Sequence, residues 1–246
     1  FLSTLIGQAL FPNSKPVVLR MNQYKHPDDV YTLLGPPPGM PGYEVGGALT
    51  RPVLENPYRV VIFDESEKSH KDVQHCLYDV LDAGNCREKS SGKLVDFSGT
   101  VFFATSNAAV PALRQIRAQS KDAATWLGQS RDVLADAGGF DKAFLARWTG
   151  IYLMDELHPM HVAEVACLQL ASHWKEYDSE VAHASPEVIL SAVEGNEAFK
   201  EYGVRQLGAY LQTVTKDAIL KAKEDGAKKV WLGVGPDRSL SISRTE

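Results

Sequence analysis

Two adjacent carboxylates, Asp64 and Glu65, directly follow the apolar run 60–63. Ligands of open α/β sheets bind at the carboxyl ends of the strands, which is where these two side chains would stand. Phosphoryl transfer needs such a pair, because one carboxylate holds the shell of a magnesium ion while the other orients and polarises a water molecule. Acids after an apolar run also begin ordinary loops and cap the next helix, so the pair alone leaves both interpretations open.

Three further side chains fit the same chemistry. Asn107 ends the stretch 104–107 after another apolar run, so its carboxamide would lie at the same edge of the sheet, either orienting water or forming a turn. Arg147 precedes a further apolar run, and Arg205 stands at the start of a predicted helix. Arginine matches the charge on a transferred phosphate through its fork of N–H donors, although a lone arginine is more often a solvated surface residue.

The elements that must position these residues follow from apolar patterning. Residues 1–11 have helical periodicity, and another helix is predicted to begin with Ser69 as its N-cap. Short continuous apolar runs are typical of strands covered on both faces of a parallel sheet. Such runs are Val17–Leu19, Val60–Phe63, Val101–Phe103 and Ile151–Leu153. Strands that alternate with helices predict an α/β domain with helices on both faces of its sheet.

The pattern changes near residue 158. Residues 161–223 show helical periodicity only, and Val230–Leu232 with Leu240–Ile242 predicts a terminal β-hairpin. The predicted organisation is therefore an α/β domain over 1–157 and a small, mostly helical domain over 158–246.

Several stretches, in order and over nearly the whole chain, together resemble the second ATPase module of Clp-type AAA+ unfoldases and disaggregases. They are residues 34–47, 56–70, 95–97, 105–107, 144–147 and 202–205. The resemblance implies a P-loop NTPase fold, a parallel sheet with helices on both faces followed by a helical lid with a terminal hairpin.

The resemblance also implies roles, with ATP and Mg²⁺ as ligands. Asp64 would be the Walker B acid that binds Mg²⁺ through water, and Glu65 the base that activates the attacking water. Asn107 would be the first sensor. Arg147 would be the finger offered to the nucleotide of a neighbouring subunit, which implies a homo-oligomeric, usually hexameric, ring. Arg205 would be the second sensor, on the lid.

Three more residues, Glu67, Lys68 and His70, also match the family pattern, but no catalytic role is assigned to them.

The substrate-gripping loop departs from the family pattern. That loop usually carries an aromatic residue between its glycines, whereas here the stretch 39–42 reads Gly-Met-Pro-Gly. Met40 is large and apolar enough to contact a polypeptide, and Tyr43 follows, but Pro41 stiffens the backbone. Substrate threading by Met40 and Tyr43 is therefore one expectation, and a loop that serves only in subunit packing is the other.

The phosphate-binding loop of the family is a second departure. No Gly-x-x-x-x-Gly-Lys-[Ser/Thr] motif occurs in the 246 residues, which alone are expected to be inactive. Helix 1–11 resembles the helix that follows this loop. The strand that leads into the loop is central in the family's sheet, and without it two unpaired strand edges would remain in the core. The expectation is that the natural protein carries these upstream residues.

Composition restricts the partners. Lys and Arg number 26 against 31 Asp and Glu, a net charge of −5, which argues against a chain that coats nucleic acid or anionic membrane. No run approaches the roughly 18 apolar residues of a membrane span. No basic segment is followed by an apolar stretch, so no secretory signal is expected. The three cysteines, Cys76, Cys86 and Cys167, show no paired metal-binding spacing, which favours a reduced cytoplasmic location.

Three functions remain at this stage. The leading one is an ATP-driven motor module that remodels polypeptide clients. The second is an AAA+ nucleotide switch or scaffold that binds partners without threading them, which Met40 and Pro41 favour. The third, a clamp-loader or helicase-loader relative acting on DNA, is disfavoured because no basic stripe with interleaved aromatic residues occurs.

Overall fold

The chain divides into two compact units, Phe1–Leu153 and Met154–Glu246. A computed structural model describes residues 2–155, 157–177, 180–189, 204–234 and 240–244.

The first unit contains α-helices, β-strands and short 3-10 helices. The α-helices are α1 (Leu2–Leu10), α2 (Asp29–Leu34), α3 (Thr50–Glu55), α4 (Lys71–Cys76), α5 (Tyr78–Asp82), α6 (Val110–Gln119), α7 (Ala123–Ala137) and α8 (Lys142–Ala146). The strands are β1 (Val17–Arg20), β2 (Val60–Asp64), β3 (Asn85–Arg87), β4 (Leu94–Asp96) and β5 (Val101–Ala104). The 3-10 helices are Met21–Gln23, Tyr43–Val45 and Ser66–Lys68.

Three of the predicted strands form one parallel sheet in the order β1-β2-β5, which confirms them. Val61 of β2 pairs with Val17 on one side and with Phe102 on the other. Because β2 is central, its first four residues are buried, and its sequence is continuously apolar.

Both faces of β2 are covered. Phe63 is fully buried in the main core, where its ring stacks on Phe102 at 5.8 Å and meets Trp148 edge-on at 6.3 Å. Val60 points to the other face, where α1 packs closely: a Cβ atom at Gly7 would lie 3.2 Å from Val60 Cγ2. Truncating a ring buried like that of Phe63 costs about 3–5 kcal/mol, so this packing holds the site-bearing strand in place.

The predicted fourth strand, Ile151–Leu153, is wrong for this structure. None of the described residues forms a β-ladder with it, and a strand exists only through such pairing. Ile151 and Leu153 instead pack their side chains against the main core, and the carbonyl of Ile151 accepts a hydrogen bond from Trp126 Nε1 at 2.7 Å. The apolar run therefore indicates that Ile151 and Leu153 pack against the core, but not that its backbone pairs with a strand.

The helix predicted to begin at Ser69 starts one residue later and is interrupted. His70 is the N-cap of α4, since its Nδ1 accepts a hydrogen bond from the backbone N–H of Asp72 at 3.2 Å. Ser69 instead donates from Oγ to the carbonyl of Ser66 at 2.8 Å, which closes the preceding 3-10 helix. Leu77 then separates α4 from α5.

The second unit is a mixed structure. It contains α9 (Pro159–Lys175), β6 (Glu180–Ala184), a helical turn at 186–189, α10 (Val204–Glu224), β7 (Lys229–Val234) and β8 (Leu240–Arg244). Its own core includes Trp174, Leu211 and Leu232, each at most 1% exposed.

The predicted terminal pairing of β7 with β8 is confirmed, and it is antiparallel, while the turn residues 235–239 lie outside the described residues. The prediction that 161–223 contains helices only is wrong, because β6 pairs in parallel with β7 and completes a sheet of order β6-β7-β8. The segment Glu180–Ala184 is short and its side chains are mostly exposed, so its sequence gives only a weak strand signal.

Candidate active site

The ends of β2 and β5 are joined by side-chain and backbone hydrogen bonds. Thr105 Oγ1 donates to Asp64 Oδ1 at 2.6 Å and accepts a hydrogen bond from the N–H of Glu65 at 3.1 Å. The N–H of Thr105 donates to the carbonyl of Phe63 at 2.9 Å, which continues the ladder. The structure therefore places both predicted acids at the carboxyl edge of the sheet, with Thr105 between the two strand ends.

Glu65 has an unusual backbone conformation. Its φ of 57° and ψ of 51° lie in the left-handed region, which costs an ordinary residue about 1–2 kcal/mol. Its side chain is held on both oxygens: Lys68 Nζ lies 2.7 Å from Oε1, and Asn22 Nδ2 donates to Oε2 at 2.8 Å. The hydrogen bond to Glu65 raises the pKa of Lys68 above its ordinary value, so the ammonium stays charged.

These contacts bear on the chemistry that Glu65 can do. A general base must lie within hydrogen-bond reach of the water that it deprotonates. The Glu65 side chain is 30% exposed, and of its two partners Lys68 is exposed and Asn22 is half-buried. A change of partners is therefore enough to present one oxygen of Glu65 to a water molecule at the sheet edge.

Asn22 is a residue that the sequence reasoning missed. It lies in the 3-10 helix Met21–Gln23, directly after β1, so it emerges at the same edge as Asp64, whose ladder partner is Arg20. The signal was available: Asn22 follows the run Val17–Leu19 much as Asn107 follows the run Val101–Phe103.

Asn107 lies exposed beyond the end of β5, at the same edge. Its backbone N–H donates to Glu67 Oε1 at 3.4 Å, whereas Glu67 Oε2 is buried without a hydrogen-bond partner among the described residues. Glu67 thus connects the loop after β2 to the loop after β5. The structure brings Asp64, the last residue of β2, together with Glu65 and Asn107, which lie on these two loops.

Arg147 is bound by other residues of its own chain. It is the C-cap of α8, and its Nη2 lies 2.6 Å from Asp82 Oδ2 while its Nη1 donates to the carbonyl of Ala143 at 2.6 Å. Its guanidinium carbon lies 3.9 Å from the ring centroid of Tyr78. Burial and the hydrogen bond to Asp141 raise the pKa of Tyr78 to about 12, so the phenol stays neutral. The hydrogen bond to Asp141 holds the ring of Tyr78 beneath Arg147.

Arg205 belongs to the second unit. It lies in α10, of which Val204 is the first described residue, and its side chain lies outside the described residues.

The predicted substrate loop projects from the first unit with apolar side chains exposed. Met40 is 44% exposed and Tyr43 is 42% exposed, and residues 39–45 line an open cavity of about 430 Å³. Gly39 and Gly42 both have positive φ, 93° and 84°, which allows two tight turns around Met40. The geometry presents an apolar tip, as a loop that contacts a polypeptide requires.

The oxygen donors at the sheet edge fit a magnesium–nucleotide complex. Mg²⁺ in such sites is bound by one or two carboxylates together with phosphate oxygens and water. Asp64 would supply the carboxylate, and Thr105 and Asn107 carry further oxygen atoms at the same edge. In the described part of the chain, no group of three or more His, Cys, Asp and Glu side chains is arranged to hold a metal ion by itself.

Within the described residues, no helix has both the length and the apolar character that crossing a membrane requires.

The chain is similar to known ATPase-module sequences. The sequence profile of the AAA domain (Cdc48 subfamily) matches residues 3–150. The chain is 31% identical over 241 residues to chaperone protein ClpB of Rhizobium meliloti (strain 1021), an alignment that covers 97% of this chain and 26% of ClpB. It is 29% identical over 227 residues to the negative regulator of genetic competence ClpC/MecB of Bacillus subtilis (strain 168), covering 89% of this chain and 28% of ClpC/MecB. The chain therefore spans about a quarter of the length of these relatives.

Proposed function

Since this chain belongs to the AAA domain family, as a Clp-type AAA+ module, we propose that it is the ATP-hydrolysing motor module of a protein-remodelling machine. Its clients are polypeptides, and it works in the cytoplasm as part of a homo-oligomeric, hexameric ring. The ClpB relatives are chaperone proteins by name, which supports this class of activity.

The observation that supports the proposal best is the arrangement at the carboxyl edge of β2. Asp64 is oriented by Thr105, and Glu65 stands beside it in a strained conformation with both carboxylate oxygens held by side chains. Strain of this kind persists where the surroundings enforce it, and functional sites are the commonest such places.

The proposed mechanism divides the work among these residues. Mg²⁺, when bound, would neutralise charge on the phosphate oxygens of ATP. Asp64 would hold it through water, and Thr105 keeps the Asp64 carboxylate oriented. Glu65 leaves Asn22 or Lys68, accepts a hydrogen bond from the attacking water and takes its proton. Asn107 orients the same water or a phosphate oxygen.

Two arginines complete the proposed mechanism. Arg147 serves the nucleotide of the neighbouring subunit, and it exchanges its contact with Asp82 for phosphate oxygens when that nucleotide is present. Arg205 of α10 senses the nucleotide that is bound to its own subunit. In this way it couples the nucleotide to the domain 158–246, which acts as a lid. Movement of this lid and of the loop that carries Met40 and Tyr43 pulls on the client.

The test is Glu65→Gln in the full-length protein. The carboxamide retains the shape of the side chain but cannot take a proton, so hydrolysis should fall at least about 100-fold while nucleotide binding persists. Glu55→Gln is the control, because Glu55 is an exposed residue of α3 whose carboxylate forms an ion pair with Arg51 on the same helix. A phosphate-release assay that gives Glu65→Gln the rate of the control rules out this mechanism.

A nucleotide switch or scaffold that does not thread its partner is the second candidate, and the stiff loop around Pro41 favours it. Met40→Ala separates the two. Threading predicts that less model substrate is unfolded for each ATP hydrolysed, whereas a scaffold predicts that the variant behaves as the wild type in both assays.

A further inference from the structure

The segment that connects β3 to β4 lies under both ends of the loop 35–47, which carries the apolar tip described above. At the first end, a Cβ atom at Gly35 would lie 2.6 Å from Ser90 Oγ. Next to it, the N–H of Lys89 donates to the carbonyl of Leu34 at 2.9 Å. At the second end, a Cβ atom at Gly46 would lie 2.8 Å from Glu88 Oε1. Both ends therefore approach this segment so closely that only glycine fits there without displacement.

Glu88 is the centre of this contact. It is 1% exposed, and its Oε1 accepts hydrogen bonds from the N–H of Gly47 at 3.2 Å and from Thr50 Oγ1 at 3.0 Å. Its Oε2 accepts a hydrogen bond from Ser91 Oγ. A buried carboxylate is stable only when its oxygens are satisfied in this way, and hydrogen bonds to a charged group are the strong ones.

The charge on Glu88 is maintained by the same neighbours. Burial alone would raise the pKa of Glu88, but hydrogen bonds from Ser91, Gly47 and Thr50 and the positive charge of Arg51 lower it below the ordinary 4.5. Glu88 is thus ionised at neutral pH.

The tip of the loop is held much less firmly than its ends. A Cβ atom at Gly39 or at Gly42 would meet nothing within 4 Å, and the side chains of Met40 and Tyr43 are nearly half exposed. A loop with fixed ends and a free tip can contact a varied ligand while it transmits force to the body of the domain.

We propose that Glu88 is the positioning residue of this loop: its buried carboxylate anchors the Gly46–Gly47 end on the β3–β4 connection, so that a pull on the tip is borne by the first unit. The inference rests on the proposed function of the loop as a contact for polypeptide clients. The occupant of the tip is an extended polypeptide, and Glu88 itself does not touch it.

The first experiment measures loop anchoring in the full-length protein, without nucleotide. Chymotrypsin cleaves after exposed Tyr43 within the loop and after exposed Tyr152 outside it, and mass spectrometry follows both. Glu88→Ala should raise the rate of cleavage after Tyr43 about tenfold relative to that after Tyr152, because cleavage tracks the population of the opened loop. Thr50→Val, which removes one donor, should produce a smaller rise, and Glu88→Gln should restore part of the protection.

Two glycine variants provide a test that leaves Glu88 in place. Gly46→Ala puts a methyl group against Glu88 Oε1. Gly39 also has a positive φ, 93°, but a methyl group there would meet nothing within 4 Å, so Gly39→Ala is the matched control. Only Gly46→Ala should accelerate cleavage after Tyr43 beyond the strain effect common to both. Equal rates for the two alanine variants, or an unchanged Tyr43-to-Tyr152 ratio in Glu88→Ala, overturn the proposal.

The second experiment measures the number of model-substrate molecules unfolded per ATP hydrolysed. Loss of anchoring should lower this ratio several-fold in Glu88→Ala, with partial recovery in Glu88→Gln, whereas general destabilisation lowers both activities together. An unchanged ratio with a loosened loop contradicts the positioning role. If the wild type unfolds nothing, the proposed function fails instead, and the cleavage experiment still decides whether Glu88 anchors the loop.

Discussion

Glu65 and Glu88 are both glutamates of the first unit, and each carboxylate is held on both oxygens, yet their surroundings are opposite. The Glu65 side chain is 30% exposed on a left-handed backbone, and its two partners are side chains that can move. Glu88 is 1% exposed, and one of its donors is the backbone N–H of Gly47. The exposure of Glu65 suits the proposed role of a base that exchanges partners, and the burial of Glu88 suits the proposed role of a loop anchor.

The largest expected effect on folding separates the two carboxylates. Glu88→Ala should lower the free energy of unfolding by about 2–4 kcal/mol, because it leaves the N–H of Gly47 and the hydroxyl of Thr50 buried without a partner. Glu65→Ala should lower it by less than about 1 kcal/mol, since its contacts are partly exposed. Urea unfolding followed by circular dichroism measures both, and equal losses would remove the distinction between the two sites.

Because the backbone of Glu65 is strained, the glycine and alanine variants at this position should have the opposite order of stability from the same two variants in a helix. Glu65→Gly should be more stable than Glu65→Ala by about 1 kcal/mol, because glycine adopts positive φ without a steric penalty. Gln115, an exposed residue in the middle of α6, is the matched control. There glycine should be less stable than alanine by about 1 kcal/mol. The same order of stability at both positions would contradict the strain at Glu65.

The charge on Glu88 predicts a pH dependence of stability. Because its pKa in the folded protein is lowered from 4.5, its contribution is complete above that value and is lost as the pH falls through the folded pKa. The wild type should therefore exceed Glu88→Gln in stability by a constant amount near neutral pH, and the difference should shrink in acid. Urea midpoints of both proteins from pH 7 to pH 3 measure it, and other carboxylates cancel in the difference. A difference that grows as the pH falls reverses the predicted sign.

Sequence reasoning located the sheet-edge acids because the relevant signals are local. A continuous apolar run marks a strand covered on both faces, and polar residues at its carboxyl end stand at the edge of the sheet, as Asp64 and Glu65 do. Asn22 shows the same local pattern, since it follows the apolar run of β1, so its place at this edge was also predictable from the sequence. Glu88 was missed for a different reason: nothing around it in sequence distinguishes it from an exposed loop glutamate, and its partners Gly47 and Thr50 lie 41 and 38 residues away.

The wrong strand prediction at Ile151–Leu153 and the missed strand Glu180–Ala184 share one cause. Strand identity depends on a partner elsewhere in the chain, and an apolar run reports only that its side chains are buried. Ile151 lies against the core without joining the sheet, whereas the mostly exposed strand Glu180–Ala184 pairs with β7.

The amino-acid sequence by itself determined the α/β class of the first unit, the three parallel strands and the edge at which the acids stand, because apolar periodicity and chain order are properties of neighbouring residues. Only the tertiary structure decided which groups hold Glu65, that Arg147 is bound to Asp82 and Tyr78, and that Glu88 is buried beneath the loop 35–47. Those contacts join residues far apart in the chain, and their strength depends on burial and hydrogen-bond geometry, which exist only once the chain has folded.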